Sequence, residues 1–239
     1  MKWHRKDLLG LEEMSRGEIE TILDTAQSFK EVSTRTVKKV PALRGKTVVN
    51  LCFEPSTRTK TSFELAAKRL SADVLNFEVA TSSVSKGETL VDTARNIEAM
   101  KVACFIVRNS VSGAPMLIGR SVGPSVINAG DGCHEHPTQA LLDLFTVRER
   151  IGKIAGVKIS IIGDLRHSRV ARSNIWGFTK LGADVTVCAP PPLVPAGMER
   201  LGVRVTYKLA EAVDDCDVVY LLRLQRERQR ENYRPSLQE

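Results

Sequence analysis

The stretch KTVVNLCFEPSTRTKTSFELAAKRL, residues 46–70, joins a short apolar run to a helical pattern. Residues 46–53 are rich in β-forming residues, and Pro55 disfavours a helical conformation for the residue before it. Apolar residues then recur at helical spacing, at Phe63, Leu65, Ala66 and Leu70. The stretch therefore predicts a strand, a tight turn and a helix, in that order.

The same alternation continues on both sides of one long amphipathic segment at 136–152. Before it, strands are predicted at 46–53, 72–77, 102–107 and 125–129, with helices near 58–70, 89–100 and 114–121. After it, strands are predicted at 157–164, 183–189, 203–207 and 217–222, with helices at 168–181 and 209–214, and with a Pro-rich loop at 190–195 followed by a short helix. Parallel pairing needs a long crossover, which a helix usually supplies. The sequence predicts an α/β protein with two doubly wound domains, residues 1–145 and 146–239, whose parallel sheets are flanked by helices.

One further helix is predicted near the N-terminus. Ser15 is followed three residues later by Glu18, which is the spacing of a capping box. Apolar residues recur at helical spacing after it, so this helix is expected to run to about Lys30.

The composition excludes a disordered chain and does not favour a nucleic-acid-binding protein. With 239 residues and 42% hydrophobic content, the chain can bury a core without staples. Its 35 basic and 28 acidic residues give a net charge of +7, and the cations are spread along the chain instead of forming a basic block or a stripe with aromatic residues. The excess positive charge therefore favours a small anionic substrate.

The cysteines and the N-terminus indicate the cytoplasm. The five cysteines are odd in number and show no CxxC spacing, as expected for thiols in a reducing compartment. The first 20 residues lack the apolar core of a signal peptide, and no run approaches 18 apolar residues. We expect a soluble cytoplasmic protein that does not bind a membrane.

Four hydroxyl and basic side chains, Ser56, Thr57, Arg58 and Thr59, fall at the start of the predicted helix after the first strand. Helix N-termini attract anions because their first amides lack partners and carry the positive end of the helix dipole. Phosphate is the expected guest. In the alternative, Ser56 or Thr57 merely caps the helix, but a cap needs only one oxygen and leaves Arg58 unexplained.

The stretch DGCHEHPTQALLDL, residues 131–144, presents His136 at another helix start, because Pro137 suits the first helical turn. A helix start favours a neutral imidazole, which can donate a hydrogen bond to a polarised carbonyl. A purely structural hydrogen-bonding role for this histidine is the alternative. His134, Glu135 and His136 also suggest a metal, but three consecutive residues cannot all face one ion, and we expect no metal in the site.

Later segments supply further candidate cations. Lys86 lies in the polar loop 81–93, where it is either solvated or closes over an anionic ligand. The strand-turn-helix stretch 159–173 holds one glycine, so it lacks a dinucleotide fingerprint, but it places Arg169 at a strand end, with surface exposure as the alternative. Arg223 and Gln225 directly follow the last strand, where ligand groups lie in open α/β sheets, whereas the arginines from 226 onward are typical of a solvated face.

Taken together, five ordered motifs resemble the catalytic chain of aspartate carbamoyltransferase, over nearly all of residues 3–230. They are FEPSTRTKTSFE (53–64), KGETLVDT (86–93), NAGDGCHEHPTQALLDLF (128–145), GDLRHSRVARS (163–173) and LLRLQRER (221–228). The resemblance implies a carbamoyl-phosphate domain at 1–145 and an aspartate domain at 146–239. It implies transfer of the carbamoyl group to aspartate in pyrimidine biosynthesis by a homotrimer with shared active sites, without a cofactor, and open to pairing with regulatory or dihydroorotase chains.

The resemblance also assigns roles to individual residues. Carbamoyl phosphate is bound by Ser56, Thr57, Arg58, Thr59, Arg108, His136 and Gln139, of which Arg58, Thr59, Arg108 and His136 are catalytic. Aspartate is bound by Lys86, Arg169, Arg223 and Gln225. Ser82 and Lys86 lie in the loop that reaches the neighbouring subunit, with Ser83 as the alternative to Ser82.

Two other functions stay open at this point. Ornithine carbamoyltransferase shares the phosphate motif and the HPxQ segment, although paired cations after the last strand would repel a cationic ornithine. The second alternative function is that of a non-catalytic scaffold. It is considered because relatives in this family continue through a further strand and two helices beyond the position of Glu239. Without that segment, weak or no activity is expected.

Overall fold

The computed structural model describes residues 3–78 and 88–225. The chain divides into two compact units, Met1–Gln139 and Ala140–Glu239. Each unit contains a four-stranded sheet in which all strand pairs are parallel. Within the described ranges, no helix combines the length and apolar character needed to cross a bilayer.

The N-terminal unit contains the elements predicted for it. They are α1 (Arg16–Thr34), β1 (Thr47–Cys52), α2 (Thr57–Arg69), β2 (Asp73–Glu78), α3 (Leu90–Glu98), β3 (Cys104–Asn109), α4 (Ala114–Ser121) and β4 (Ser125–Asp131), with a 3-10 turn at Pro41–Leu43. The predicted capping box is present, since Ser15 accepts from the Glu18 amide and the Glu18 carboxylate accepts from the Ser15 amide. Helix α1 ends at Thr34, past the predicted end near Lys30, and Val32 in its last turn is buried.

The strands of this unit lie in the order β2-β1-β3-β4. Helix α2 packs on one face of the sheet through Phe63 and Ala67. Helices α3 and α4 cover the opposite face through Ala94, Ile97 and Ile118. Strands are therefore added first on one side of β1 and then on the other. The place where the direction of winding reverses, between β1 and β3, is the topological switch point of this sheet.

The C-terminal unit repeats this plan. Helix α5 (Pro137–Ile151) begins in the N-terminal unit and ends in the C-terminal unit. It is followed by β5 (Lys158–Ile162), α6 (Arg169–Lys180), β6 (Asp184–Cys188), β7 (Arg204–Thr206), α7 (Leu209–Val213) and β8 (Val218–Leu221). The Pro-rich loop contains a 3-10 turn, Pro191–Leu193, and the short helix after it is a second one, Met198–Leu201. The strand order is β7-β6-β5-β8, so the switch point lies between β5 and β8.

These two sheets confirm the predicted doubly wound α/β fold. Ligands in such folds bind beyond the carboxyl ends of the strands, at the switch point, where the two flanking loops diverge to opposite faces and leave a crevice. A ligand is therefore expected at the turns after β1 and β3 in one unit, and at those after β5 and β8 in the other.

Candidate functional site

The start of α2 has the geometry of an anion site. Ser56 occupies the N-cap position with an extended backbone, φ −160° and ψ 91°, and within the described chain its side chain makes no capping hydrogen bond to the helix. The first helical bond runs from the Lys60 amide to the Ser56 carbonyl, 3.1 Å, so the three preceding amides have no partner inside the helix. The alternative in which Ser56 serves as a cap therefore lacks its defining bond.

Arg108 stands at the end of β3, beside the end of β1. Its register partner on β1 is Cys52, and on the other side the pairing with β4 shifts between Val107 and Asn109. Such an irregularity releases one residue from the ladder and redirects its side chain, and it is common next to active sites. The break thus falls at Arg108, at the end of β3 beside the switch point.

The Arg108 guanidinium contacts groups from several segments of the described chain. Its Nη1 donates to the Thr59 hydroxyl at 3.4 Å and to the Ala129 carbonyl at 3.1 Å. Its Nη2 lies 2.7 Å from Glu54 Oε1, and both side chains of this ion pair are mostly shielded from solvent.

The structure therefore brings Arg108 against the first turn of α2, where Thr57 and Arg58 are exposed and Ser56 and Thr59 are partly buried.

His136 is buried, 8% exposed, and lies directly before the first residue of α5. Its carbonyl accepts from the Gln139 amide at 3.1 Å, and its Nδ1 lies 3.3 Å from the Thr138 hydroxyl. His136 and Gln139 thus form the first turn of α5, as the proline at position 137 predicted.

A buried carboxylate, Asp131, shapes the loop before His136. It accepts hydrogen bonds from the Gly113 amide (2.6 Å), the Asn128 side chain (2.8 Å) and the Glu135 amide (3.1 Å). Burial alone would raise the pKa of Asp131, but the hydrogen bonds, that of His134 foremost, bring this pKa below its ordinary value. The ionised carboxylate therefore fixes the loop that presents the imidazole.

In the C-terminal unit, Asp164 joins the two turns at the switch point. This fully buried carboxylate follows β5, and its Oδ1 accepts from the His167 amide at 3.2 Å and lies 2.9 Å from His167 Nδ1. Its Oδ2 accepts from the Gln225 amide, beyond β8, at 3.3 Å. Asp164 thus sets the position of Gln225.

Arg169 and Arg223 differ in exposure. Arg169 opens α6 behind its cap Ser168, and it is only 3% exposed, which excludes the surface placement considered from the sequence. Arg223 is exposed, and its Nη2 donates to Gln225 Oε1 at 3.2 Å. Arg223 and Gln225 therefore lie together at the end of β8. Ser82, Ser83, Lys86 and the arginines from 226 onward lie outside the described residues.

Comparison with known families matches both units of the chain. Residues 6–149 match the model of the carbamoyl-P binding domain of aspartate/ornithine carbamoyltransferases, and residues 155–239 match that of the Asp/Orn binding domain. The chain belongs to the aspartate/ornithine carbamoyltransferase family. The two matched domains correspond to the two α/β units described above.

Individual carbamoyltransferases are similar over the whole chain. The aspartate carbamoyltransferase catalytic subunit of Syntrophus aciditrophicus is 55% identical over 239 residues, which are 100% of this chain and 78% of that relative. A structure of the Trypanosoma cruzi aspartate transcarbamoylase in complex with carbamoyl phosphate and aspartate matches with a TM-score of 0.87 and 32% identity, covering 93% of this chain and 73% of that one. The catalytic subunit of M. jannaschii aspartate transcarbamoylase matches with a TM-score of 0.83 and 35% identity, covering 94% of this chain and 76% of that one.

Within this carbamoyltransferase chain, sequence reasoning missed two carboxylates. Glu54 lies inside the quoted phosphate motif, and Asp164 directly follows a strand, yet neither was singled out. A signal existed for both, since an acidic residue at the carboxyl end of a buried strand often orients a neighbouring ligand group. Their partners, Arg108 and the Gln225 backbone, are distant in sequence and could not be named from it.

Proposed function

We propose that this chain catalyses transfer of the carbamoyl group from carbamoyl phosphate to the amine of L-aspartate, giving N-carbamoyl-L-aspartate and phosphate. The observation that carries the proposal is the contact between Arg108 and Thr59 at the uncapped start of α2. It joins a fixed cation to hydroxyls and to amides that have no partner inside the described helix, the donor set that suits a phosphate dianion. The reaction is a step of pyrimidine biosynthesis.

The N-terminal unit is proposed to bind carbamoyl phosphate. Ser56, Thr57, Arg58, Thr59 and Arg108 contact the phosphate, while His136 and Gln139 contact the carbamoyl group. Each charge-assisted hydrogen bond to the phosphate contributes about 1.5–3 kcal/mol where water is excluded. Support comes from the T. cruzi relative, whose structure was solved in complex with carbamoyl phosphate and aspartate.

The chemistry requires positioning and charge stabilisation, without a covalent enzyme intermediate. The aspartate amine attacks the carbamoyl carbon, and the carbonyl oxygen gains negative charge as the C–N bond forms. Donors from Thr59, Arg108 and His136 stabilise that oxyanion. The C–O bond to phosphate then breaks, and the departing phosphate accepts the proton that the amine loses, so no metal or cofactor takes part.

The C-terminal unit is proposed to bind aspartate through Arg169, Arg223 and Gln225. Two guanidinium groups match the two carboxylates of aspartate, whereas ornithine presents one carboxylate and a cationic side chain. The paired cations therefore favour aspartate over ornithine. The residues that orient these groups, Asp164 above all, belong to the same turns.

Assembly and location are inferred from the family resemblance. We propose a cytoplasmic homotrimer in which Ser82 and Lys86 of one subunit complete the aspartate site of the next, with regulatory or dihydroorotase chains as further partners. All five cysteines lie in the described ranges and no disulfide joins any two of them, which fits a reducing compartment.

The deciding experiment is a carbamoyl-transfer assay with aspartate and with ornithine as competing acceptors, using labelled carbamoyl phosphate. Labelled carbamoyl-aspartate, and little citrulline, is the expected result. An excess of citrulline would favour the ornithine enzyme. Calorimetry addresses the scaffold alternative, because an enzyme binds carbamoyl phosphate and then aspartate, whereas a scaffold binds neither.

A further inference from the structure

The N-terminal segment before α1 and the loop before α5 together line a cavity of about 270 Å³ in the N-terminal unit. Glu12, His134 and Glu135 lie on its wall, and one potential ligand atom of each lies within 4.8 Å of the other two. We propose that these three side chains bind one divalent transition-metal ion. This site is separate from the proposed substrate residues, and the inference does not depend on the proposed function.

Three consecutive residues, His134 to His136, cannot surround one ion, which is why the sequence predicts no metal there. The structure instead supplies the third ligand from the start of the chain. Leu8 pairs in parallel with Ile127 of β4, through bonds of 2.9 Å from the Leu8 amide to the Val126 carbonyl and from the Asn128 amide to the Leu8 carbonyl. This pairing carries Glu12 to the loop that holds His134 and Glu135.

The Glu135 side chain is held by hydrogen bonds, and the same bonds hold the backbone of Glu12. The Glu135 carboxylate is 1% exposed and accepts hydrogen bonds from the Leu11 amide at 2.8 Å and the Glu12 amide at 3.2 Å. A carboxylate has about four lone-pair sites, which is more than these two hydrogen bonds use. One buried ligand therefore holds the backbone of a second, which reduces the ordering that binding requires.

His134 is oriented by Asp131. The His134 amide donates to the Asp131 carbonyl at 2.9 Å, and the ring Nδ1 lies 3.1 Å from Asp131 Oδ2. A carboxylate that accepts the Nδ1 proton leaves Nε2 as the basic, metal-binding nitrogen. This carboxylate–histidine–metal arrangement is the usual outer sphere of metal-binding histidines.

The charges around the cavity also favour a cation. Three carboxylates, Glu12, Asp131 and Glu135, surround a single imidazole. Two cations that line the cavity have other partners, since Arg5 pairs with Glu18, and Lys6 donates to the carbonyls of Gly119 and Val122.

An imidazole with carboxylates suits Zn²⁺ or Co²⁺ better than Mg²⁺ or Ca²⁺. The ion would tie the N-terminal segment to the loop that leads into α5.

The test is titration of the metal-stripped protein with Co²⁺, followed by its visible absorption, and then displacement by Zn²⁺. We expect one equivalent to bind, Mg²⁺ in excess not to compete, and Zn²⁺ to raise the thermal unfolding midpoint. His134→Ala and Glu12→Gln should each weaken Co²⁺ binding at least about tenfold and remove most of the Zn²⁺-dependent thermal shift. Two controls should behave as wild type: Glu13→Gln, an acidic neighbour in the same cavity, and Cys133→Ser.

Three results would overturn the proposal: no saturable binding, unchanged affinity in both ligand variants, or loss of binding in Cys133→Ser with a thiolate charge-transfer band in the wild type. Glu12 is exposed, so Glu12→Gln is expected to fold and decides the matter if His134→Ala does not. Far-UV circular dichroism of each variant checks that it is folded.

Discussion

Arg108 Nη2 lies 2.7 Å from Glu54 Oε1, and this ion pair links the end of β3 to the turn after β1. The Arg108 and Glu54 side chains are only 14% and 18% exposed, so the pair is shielded from the screening that weakens surface ion pairs. The guanidinium is therefore oriented before any ligand arrives. Preorganised charge of this kind is what transfer of a phosphate-activated group requires.

Replacement of Arg108 should weaken carbamoyl-phosphate binding. Arg108→Gln removes the charge-assisted donors and is expected to raise the dissociation constant on the order of 10–100-fold, as loss of about 1.5–3 kcal/mol implies. Calorimetric titration measures this. Arg69→Gln, which removes a cation from the other end of α2, is the matched control, and an equal loss in both variants would mean that only the net charge matters.

The hydroxyl of Ser56 should matter for binding but not for helix stability. Loss of a capping serine ordinarily costs about 1 kcal/mol. Ser15→Ala should show that cost, since its hydroxyl caps α1 at 3.3 Å, whereas Ser56→Ala should not, because Ser56 makes no capping bond to α2. Denaturant unfolding compares the two.

The variants Ser15→Ala and Ser56→Ala also separate effects on ligand binding from effects on folding stability. Ser56→Ala is expected to weaken carbamoyl-phosphate binding by about 0.5–1.5 kcal/mol, the contribution of one hydrogen bond, and Ser15→Ala is expected to leave it unchanged. A full capping cost in Ser56→Ala with unaltered affinity would assign Ser56 to helix capping alone.

Glu18 should make stability depend on pH in acid. The hydrogen bond from Arg5 at 2.6 Å, followed by that of the Ser15 amide, lowers the pKa of Glu18 to about 2. A carboxyl whose pKa is depressed by folding stabilises the protein above its unfolded pKa, and that contribution is lost as pH falls towards the folded value. The advantage of wild type over Glu18→Gln should thus be full above about pH 4.5 and vanish near pH 2.

Unfolding free energies of wild type and Glu18→Gln at a series of pH values test this. Glu20→Gln is the control, because the pair between Glu20 and Arg16 is exposed and such pairs contribute little. If the advantage over Glu18→Gln kept the same size from pH 5 down to pH 2, carboxylate ionisation would not be its source.

Gly163 should tolerate no side chain. Its φ is +124°, and an added Cβ would lie 3.0 Å from the Leu222 carbonyl oxygen, where the turn after β5 crosses the segment after β8. Gly163→Ala is expected to destabilise the protein by about 1–3 kcal/mol through backbone strain, with a further loss from the clash. It should also weaken aspartate binding by displacing the turn that Asp164 holds.

Gly156→Ala separates strain from clash. Gly156 also has a positive φ, +72°, but no atom of the described residues lies within 4 Å of its added Cβ. Its unfolding free energy should therefore drop by less than that of Gly163→Ala. Equal losses in the two variants would rule out the contact with Leu222 as a cause.

Much of the fold could be predicted from the sequence because the signals are local. The capping box at Ser15, the strand before Pro55 and the apolar spacing after it each depend on residues a few positions apart. The donors at Ser56–Thr59 could be recognised for the same reason, since a helix start is itself a local feature. The candidate carboxylate-binding residues Arg223 and Gln225 followed from their place directly after a strand.

The sequence by itself determined the alternation of strands and helices, the helix starts and the family motifs. Only the tertiary structure decided that β3 lies beside β1 and β8 beside β5, and therefore that Arg108 meets Glu54 and that Asp164 holds Gln225. It also decided that Leu8 pairs with β4 and brings Glu12 to His134. Strand neighbours are chosen by burial and register across the whole sheet, so distant segments acquire contacts that no local pattern records.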